Sequence, residues 1–385
     1  MPIVPKTSIH KDSAPATSSR LISLDVFRGA TIAAMILVND AGDFQTVYGP
    51  LRHSDWNGWT LTDLIFPFFL FIVGVSMAFS FASRQERGEA ATTQFAHVVR
   101  RGSILFAIGL ILNGMVAGFD PGKWRVYGVL QRIALCYVIS AILALWFGRK
   151  GWIATAVACL AGYWILMRYV PVPGFGVPTH DIPLLDPDRN LVAWLDRKLL
   201  AGHLYQVTRD PEGLLSSIPA LATTLLGLLA GDWLRSARAS RVKAGAMLAF
   251  GVVCIASGEA FSMWFPINKK LWTSSYVLLT AGLALVCLAL CYAVVDIKKW
   301  HRGWSLPFVV FGMNAIAAYV FSELLSIGLS AMHIGDLTWQ EFLYQSLFAP
   351  LASPFNASLL FAISFVLVCW VAMLLLNRKR IYVKI

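Results

Sequence analysis

The side chains best suited to acid–base chemistry lie around a short polar segment between two apolar runs, at Asn39, His53 and Asp63. An imidazole exchanges its proton near neutral pH, so His53 is a candidate general base or nucleophile. Asp63 is close enough in sequence to orient that imidazole, as carboxylates orient catalytic histidines. Asn39 ends the preceding run and could donate a hydrogen bond to a developing oxyanion. These residues predict a transfer site centred on His53.

Each of the three residues also has a purely structural interpretation. A loop histidine at the mouth of a helix can serve only as a hydrogen-bonding partner. Asp63 has Thr60 and Thr62 beside it, and acids and hydroxyls are favoured at helix N-termini. Asn39 could cap the C-terminal end of its own helix. The residue types alone leave both interpretations open.

The elements that must position these residues are hydrophobic spans. Of 385 residues, 57% are hydrophobic and only 14% are charged, whereas soluble domains are about one quarter charged. Many apolar runs are long enough to cross a hydrocarbon core of about 30 Å. We therefore predict an all-α, polytopic integral membrane protein with ten or eleven transmembrane helices. The predicted spans are 22–40, 61–82, 101–118, 127–147, 152–170, 214–234, 244–262, 272–295, 306–330 and 355–376, with an interfacial or re-entrant piece at 339–351.

Basic residues are distributed unequally between the two sides of these spans. The loops on one side carry about twice as many lysines and arginines as the loops on the other. Short cytoplasmic loops are enriched in basic residues, so both termini are predicted to be cytoplasmic. The loop with His53, the long segment 171–213 and the Lys269–Lys270 turn then lie on the outer face. Topology thus explains the net charge of +11, and no nucleic-acid partner is expected.

Other features narrow the class of protein. All six cysteines lie in apolar runs, and no His or carboxylate joins the one close pair, so buried thiols are expected rather than metal ligands. Residues 1–20 lack an apolar core, which predicts a disordered cytoplasmic tail before one transmembrane domain, 21–385. The sequence contains no P-loop, zinc-protease, serine-hydrolase or dinucleotide motif. The reaction types that remain for a site at His53 are acyl, phosphoryl or glycosyl transfer.

Charged residues inside spans are a second signal, because an unpaired charge near mid-membrane costs about 2.5–3.5 kcal/mol or more. Asp25 and Arg28 lie one helical turn apart and are expected to pair. Arg132 has no acid one turn away, so it needs a partner from another helix or an anionic ligand. Glu323 is a candidate partner for Arg132 or Arg28.

Several longer stretches resemble the motifs of one known family. They are Leu-Asp-Val-Phe-Arg-Gly (24–29), Leu-Val-Asn (37–39), His-Ser-Asp-Trp-Asn-Gly-Trp-Thr (53–60), Asp-Leu-Ile-Phe-Pro-Phe-Phe-Leu-Phe-Ile-Val-Gly (63–74), Gly-Val-Leu-Gln-Arg (128–132), Asn-Lys-Lys-Leu-Trp-Thr-Ser-Ser-Tyr (268–276), Gly-Met-Asn (312–314) and Arg-Lys-Arg-Ile-Tyr-Val-Lys-Ile (378–385). Together they resemble the heparan-α-glucosaminide N-acetyltransferase family of transmembrane acyltransferases. The likeness covers nearly the whole chain from Leu21 onward.

This resemblance implies transfer of an acetyl group from acetyl-CoA, across the membrane, to a sugar amine on the far side. It also implies that His53 is the catalytic residue and that Asn39 is its partner. Ser54 stands where the family commonly has Ala, and Asp40 follows the Asn. The lysosomal member carries a luminal domain and an extra span before this region. Only a short tail precedes it here, which favours a small amino sugar or an envelope glycan in a bacterium.

The same motifs supply further candidate contacts on each face. The candidates for binding the acceptor are Trp56, Asn57, Asn268 and Lys269. The candidates for binding CoA are Arg132, Arg380 and Lys384. The terminal basic cluster could equally serve only to hold the last helix in place.

The sequence therefore predicts an acetyl-CoA-dependent sugar N-acetyltransferase, without a metal, embedded in the lipid bilayer of a bacterial inner membrane. The competing hypothesis is an amino-sugar permease, whose polar residues would line a substrate path. Two routes for the acetyl group stay open: direct attack by the amine with His53 as base, or an acetyl-His53 intermediate. The acceptor sugar, N- versus O-acylation and the oligomeric state, with a homodimer as one candidate, are also open.

Overall fold

The structure of this chain is a computed structural model that describes residues 21–301 and 303–383. The predicted tail, 1–20, lies outside the described residues. The helices are α1 Ile22–Asn39, α2 Ile65–Glu86, α3 Ala91–Val116, α4 Val129–Trp146, α5 Arg149–Tyr169, α6 Leu191–Leu199, α7 Ser217–Arg235, α8 Ser240–Phe261, α9 Ser274–Cys291, α10 Leu306–Met313, α11 Ala315–Ala331, α12 Trp339–Leu343 and α13 Pro354–Arg378. A π-helical turn, Tyr292–Ile297, continues α9, and the short strands β1 His333–Ile334 and β2 Leu337–Thr338 pair antiparallel.

The predicted polytopic all-α architecture is confirmed. Within the described ranges, nine helices are long and apolar enough to cross a membrane: α1 to α5, α7 to α9 and α13. The pair α10 and α11 makes a tenth when it is counted as one span. One predicted boundary was wrong, because α3 begins at Ala91 rather than at residue 101. Arg100 and Arg101 therefore belong to a helix and not to a loop.

The span predicted over 306–330 is broken in the structure. The axes of α10 and α11 differ by 85° at Asn314, which separates the two helices. Asn314 is 1% exposed, and its side chain accepts a hydrogen bond from the Val383 amide at 3.0 Å and donates one to the Ile381 carbonyl at 3.2 Å. The segment after α13 thus satisfies the polar groups at the break between α10 and α11.

Close helix packing holds α7 against α2. The spacing of Gly227 and Gly231 predicts such packing. A Cβ atom at Gly227 would lie 2.0 Å from the carbonyl oxygen of Phe71, and one at Gly231 would lie 2.7 Å from that of Val75. Any side chain at either position would separate the helices, so the prediction is confirmed. The packing positions α2, which follows the turn that holds the candidate acid Asp63.

Candidate active site

His53 and Asp63 form a hydrogen-bonded pair in the structure. His53 lies in the loop between α1 and α2, and Asp63 lies in the 3₁₀ turn Thr62–Leu64 that leads into α2. The Nδ1 atom of His53 is 2.8 Å from Oδ1 of Asp63. The imidazole is 51% exposed, whereas the carboxylate is 1% exposed. A buried carboxylate therefore holds an accessible imidazole through Nδ1, which leaves Nε2 available to a reactant.

The Asp63 carboxylate is fixed by several further donors. Its Oδ2 atom accepts from the Ser54 amide at 3.0 Å, the Thr60 amide at 3.1 Å and the Thr60 hydroxyl at 3.2 Å. The Tyr276 hydroxyl donates to the main-chain carbonyl of Asp63 at 2.5 Å. Asp63 thus stabilises the turn before α2 and also contacts the imidazole. The expected contact with the imidazole is present, whereas the Asp63 carboxylate accepts from Ser54 and Thr60 and caps no amide of α2.

Lys269, predicted as an acceptor contact, approaches the same pair. Its Nζ atom lies 2.9 Å from His53 Nδ1 and 3.3 Å from Asp63 Oδ1. The side chain is 18% exposed. Burial lowers the pKa of the Lys269 ammonium, while the nearby Asp63 carboxylate opposes that change. The site is therefore a cluster of imidazole, carboxylate and amine, built from two loops that are distant in sequence.

The two loops are joined by Asn57 and Asn268. Asn268 Nδ2 donates to Asn57 Oδ1 at 3.2 Å, and the Gly58 amide donates to the Ile267 carbonyl at 2.8 Å. Asn268 is fully buried, and its own Oδ1 accepts from the Leu271 amide at 2.9 Å. In this position the Asn268 side chain contacts protein on all sides. It fixes the loop that carries Lys269.

Trp56 lies at the outer edge of the site. Its Nε1 donates to the Leu185 carbonyl at 2.8 Å, which attaches the His53 loop to the long segment before α6. The Arg209 guanidinium and the Lys270 ammonium lie 5.2 Å and 5.8 Å from the centroid of its ring. Lys270 also donates to the Asp55 carbonyl at 2.6 Å. The Trp56 ring and the two cations over it, Arg209 and Lys270, therefore border the site on its outer edge.

An outer cavity of about 950 Å³ opens in front of this cluster. Its walls include Asn39, His53, Trp56, Lys269 and Glu323. Asn39 is exposed to the cavity, and none of the hydrogen bonds of the described residues uses its side-chain amide. His53 and Asn39 therefore present polar groups to one space, as a pair consisting of a base and an oxyanion donor requires.

Two more cavities continue from the outer one toward the opposite face. A middle cavity of about 180 Å³ shares Asn39 and His53 with the outer cavity. An inner cavity of about 760 Å³ shares Phe69 and Ile133 with the middle one. Leu130 lines all three. The cavities thus form a row through the helical domain, with His53 between the outer and the middle cavity.

The inner cavity contains a basic cluster that was not predicted as a binding site, since Arg84, Arg100 and Arg101 were counted toward topology and Arg28 was expected to pair with Asp25. Its basic side chains are Arg28, Arg84, His97, Arg100 and Arg101. The Arg101 guanidinium lies 5.1 Å from the centroid of the Tyr137 ring, and its buried Nε atom has no hydrogen-bond partner within the described residues. The adjacent arginines Arg100 and Arg101 were the sequence feature that could have indicated this cluster. Because α3 begins at Ala91, both belong to a helix that lines the cavity.

The structure places Arg132 differently from the prediction. Arg132 is fully buried, and it donates to the Ser216 hydroxyl at 2.5 Å and to the Gly213 carbonyl at 3.0 Å. Its guanidinium lies 5.1 Å from the centroid of the Trp272 ring. It lines none of the three cavities described above. Neutral groups at the start of α7 therefore supply the partner that was expected from another helix, while Nε and Nη1 of Arg132 have no hydrogen-bond partner among the described residues.

The expected pairing of Glu323 with an arginine was wrong. The ion pairs between residues of 21–301 and 303–383 do not include Glu323, which lies beside Tyr319 in the wall of the outer cavity. Arg28 instead pairs with Asp25 at 3.1 Å, as predicted. It also donates to the Ser76 hydroxyl at 2.7 Å. The two arginines and Glu323 are thus held in separate environments.

Of the two CoA contacts predicted near the C-terminus, Arg380 and Lys384, the structure describes only the first. Arg380 is exposed beyond the end of α13, and the residues of this segment that line the inner cavity are Tyr382 and Val383. Lys384 lies outside the described residues. The terminal segment therefore borders the inner cavity through uncharged side chains in the part that the structure describes.

Comparison with known proteins gives a consistent result. The family described as heparan-alpha-glucosaminide N-acetyltransferase, catalytic, matches residues 20–266. The mouse protein named heparan-alpha-glucosaminide N-acetyltransferase is 30% identical over 370 residues, which cover 80% of this chain and 54% of the mouse protein. The human protein of the same name is 31% identical over 369 residues, or 80% of this chain and 53% of its own length. The chain spans about half the length of these relatives.

Proposed function

Because the chain belongs to the heparan-α-glucosaminide N-acetyltransferase catalytic family, we propose that it transfers an acetyl group from acetyl-CoA to the amino group of a glucosamine-type sugar. We further propose that residues 21–385 form one transmembrane acyltransferase domain in a bacterial inner membrane. The observation that carries the proposal is the position of His53 and Asn39, which line both the middle and the outer cavity. A reactant from each side of the membrane can meet there.

In the proposed reaction the amine attacks the thioester carbonyl directly. A C–N bond forms and the C–S bond breaks, while Nε2 of His53 takes the amine proton and passes it to the leaving CoA sulfur. Asn39 donates a hydrogen bond to the oxyanion, and Asp63 orients the imidazole. Direct transfer is favoured over an acetyl-His53 because the ring is 51% exposed and an acyl-imidazole there would meet water.

The inner cavity suits the phosphate-bearing part of CoA. Arginine guanidinium groups bind phosphate oxygens by paired hydrogen bonds, and Arg101 has a buried donor without a partner in the described part of the chain. The pantetheine arm would then extend through the middle cavity toward His53. Asp40 and Glu323 line the outer cavity and have no ion pair among the described residues. They suit the protonated amino group of an incoming sugar, which releases one proton to the outer solution before the neutral amine attacks.

The middle cavity also distinguishes this function from a permease. Its walls are mainly apolar and include Ile32, Phe66, Phe69 and Ile133. Sugar hydroxyls placed against these apolar side chains would lose hydrogen bonds to water, which costs several kcal/mol. The aliphatic stretches of a pantetheine arm can lie along them, while its two amides can reach polar groups of the same cavity such as Asn39 and Lys269. The apolar middle section therefore favours transfer over passage of the sugar.

The proposal is tested with purified protein in lipid vesicles of known orientation. Radiolabelled acetyl-CoA is supplied on the side of the inner cavity and glucosamine on the other side. We expect labelled N-acetylglucosamine on the glucosamine side only. Label that stays on CoA until glucosamine is added supports direct transfer, whereas stoichiometric label on His53 would replace it by a two-step route. Movement of glucosamine without acetylation would support the permease.

Replacing Arg101 with glutamine is expected to weaken acetyl-CoA binding by about 10–100-fold, since a hydrogen bond to a charged group contributes about 1.5–3 kcal/mol. Calorimetric titration of the detergent-solubilised protein, at two salt concentrations, measures the change. Arg149→Gln is the matched control, because Arg149 is 60% exposed, pairs with Asp232 and does not line the inner cavity. Equal affinities for wild type and Arg101→Gln would remove the inner cavity as the phosphate site.

The orientation is tested with single cysteines on opposite faces. We expect a membrane-impermeant maleimide to label His180→Cys in intact cells, and Ala239→Cys only after permeabilisation. His180 is 83% exposed in the segment between α5 and α6, and Ala239 is exposed between α7 and α8. A fusion reporter after Ile385 should be active in the cytoplasm. The reverse labelling pattern would place the His53 cavity on the cytoplasmic side.

A further inference from the structure

One imidazole nitrogen of His53 is contacted by two groups of opposite charge. Nδ1 lies 2.8 Å from Asp63 Oδ1 and 2.9 Å from Lys269 Nζ. A nitrogen of a neutral imidazole carries either a hydrogen or a lone pair. It can therefore donate to the carboxylate or accept from the ammonium, but it cannot do both at once. Asp63 and Lys269 compete for the same position.

The competition affects the charge of the ring. A carboxylate alone beside an imidazole stabilises the imidazolium, which cannot act as a base. An ammonium at the same distance opposes that effect, because bringing two cations together is unfavourable in a site of low polarity. Lys269 can keep a hydrogen bond to Asp63 Oδ1, 3.3 Å away, when Nδ1 donates to that carboxylate. The lysine thus has a partner in either arrangement.

We propose that Lys269 is a positioning residue that keeps the resting His53 imidazole uncharged and therefore able to accept a proton at Nε2. This inference rests on the proposed function for its catalytic meaning. After transfer, the protonated ring must return its proton to the CoA sulfur, and the lysine cation favours that release. Lys269 would act through His53, without contacting either substrate.

Other charged groups around the ring are farther away. Those that line the same cavity are Asp40, Arg52, Lys123, Arg125, Arg209, Asp210, Glu212, Lys270 and Glu323. The hydrogen bonds and ion pairs of the described residues connect the imidazole with Asp63 and Lys269 but with none of these nine. Glu212 acts on the ring through Lys269, whose charge it stabilises. A substitution at Lys269 should therefore directly change the protonation of His53.

The experiment is a pH titration of the histidine ¹⁵N signals by solid-state NMR in lipid bilayers. The chain has seven histidines, and the spectrum of His53→Gln assigns the signals of His53. Removal of the cation in Lys269→Met should move the His53 titration midpoint upward by about one pH unit, given typical effects of a neighbouring charge. Lys269→Arg keeps the charge and should restore the original midpoint. The acidic limb of the pH profile of kcat/KM should shift by the same amount.

Lys270→Met is the matched control. Lys270 is adjacent in sequence, contacts the Asp55 carbonyl and lies over Trp56. It acts on Asp63 and Lys269 without a hydrogen bond to the imidazole, so its removal should move the His53 midpoint by less than half as much as Lys269→Met does. Lys269→Gln serves as a second uncharged variant if Lys269→Met does not fold. A midpoint that stays within 0.2 pH units in the folded uncharged variant overturns the inference. The titration needs neither acetyl-CoA nor a sugar, so its result is independent of the proposed function.

Discussion

Replacing His53 with alanine is expected to lower the rate of acetyl transfer by about 10²–10⁴-fold, the usual contribution of general acid–base catalysis. The side chain is half exposed and contacts only Asp63 and Lys269 by hydrogen bonds. Its removal opens no cavity in the core, so expression and acetyl-CoA binding should remain near those of wild type. Initial rates with purified protein at saturating acetyl-CoA provide the measurement.

The chain offers a close control for this variant. His180 also forms a hydrogen bond with an aspartate, at 2.6 Å from Asp181, but its side chain is 83% exposed and it lies away from the outer cavity. His180→Ala should therefore leave the rate unchanged. If His53→Ala retained activity within threefold of wild type, His53 would not be the base.

The second large effect is expected from Asp63→Asn. The amide can still accept hydrogen bonds from Ser54 and Thr60 through its oxygen, but its NH₂ group would then face His53 Nδ1. Nδ1 would have to accept, so the ring hydrogen would move to Nε2 and the base would be lost. Loss of the orienting carboxylate in a catalytic triad lowers kcat by about 10⁴-fold. We expect about 10²–10⁴-fold here, with little change in the KM for acetyl-CoA.

Asp55→Asn is the matched control for that variant. Asp55 is exposed in the same loop, and the contact with Lys270 uses its main-chain carbonyl rather than its carboxylate. Its substitution should leave kcat unchanged. Circular dichroism and thermal unfolding of both variants separate a catalytic loss from a folding defect. Full activity of a folded Asp63→Asn protein would show that Asp63 only stabilises the turn before α2.

The spans were predictable because membrane crossing requires long apolar runs, and such runs are visible without any tertiary information. The 85° bend at Asn314 was not. The flanking sequence is apolar on both sides, and the break depends on hydrogen bonds to Ile381 and Val383, which are far away in the chain. Arg100 and Arg101 were placed in a loop instead of in α3. Their proposed contact with an anion was not predicted, because basic residues at a membrane face can mark topology or bind an anion, and sequence alone does not separate these roles.

Within the site, the distance along the chain decided what could be predicted. Asp63 lies ten residues from His53, so a contact between them was a natural expectation. Lys269 lies 216 residues from His53, and nothing in the sequence indicated that the two side chains touch. The family motif at 268–276 indicated only that Asn268 and Lys269 are candidate substrate contacts on the outer face. Burial, which the sequence does not reveal in an outer loop, shows that its side chain instead joins two loops.

The apolar middle cavity has a consequence for the energy supply of the cell. A membrane at 100 mV drives each monovalent ion with about 2.3 kcal/mol, and a water-filled path from the inner to the outer cavity would dissipate that gradient. Hydrophobic constrictions exclude hydrated ions by dewetting. Ile32, Phe66, Phe69 and Ile133 surround the section between the two large cavities. In the proposed two-sided site the charged residues of the middle cavity, Glu212, Lys269 and Glu323, also line the outer cavity, so the apolar residues would have to exclude ions on the side of the inner cavity.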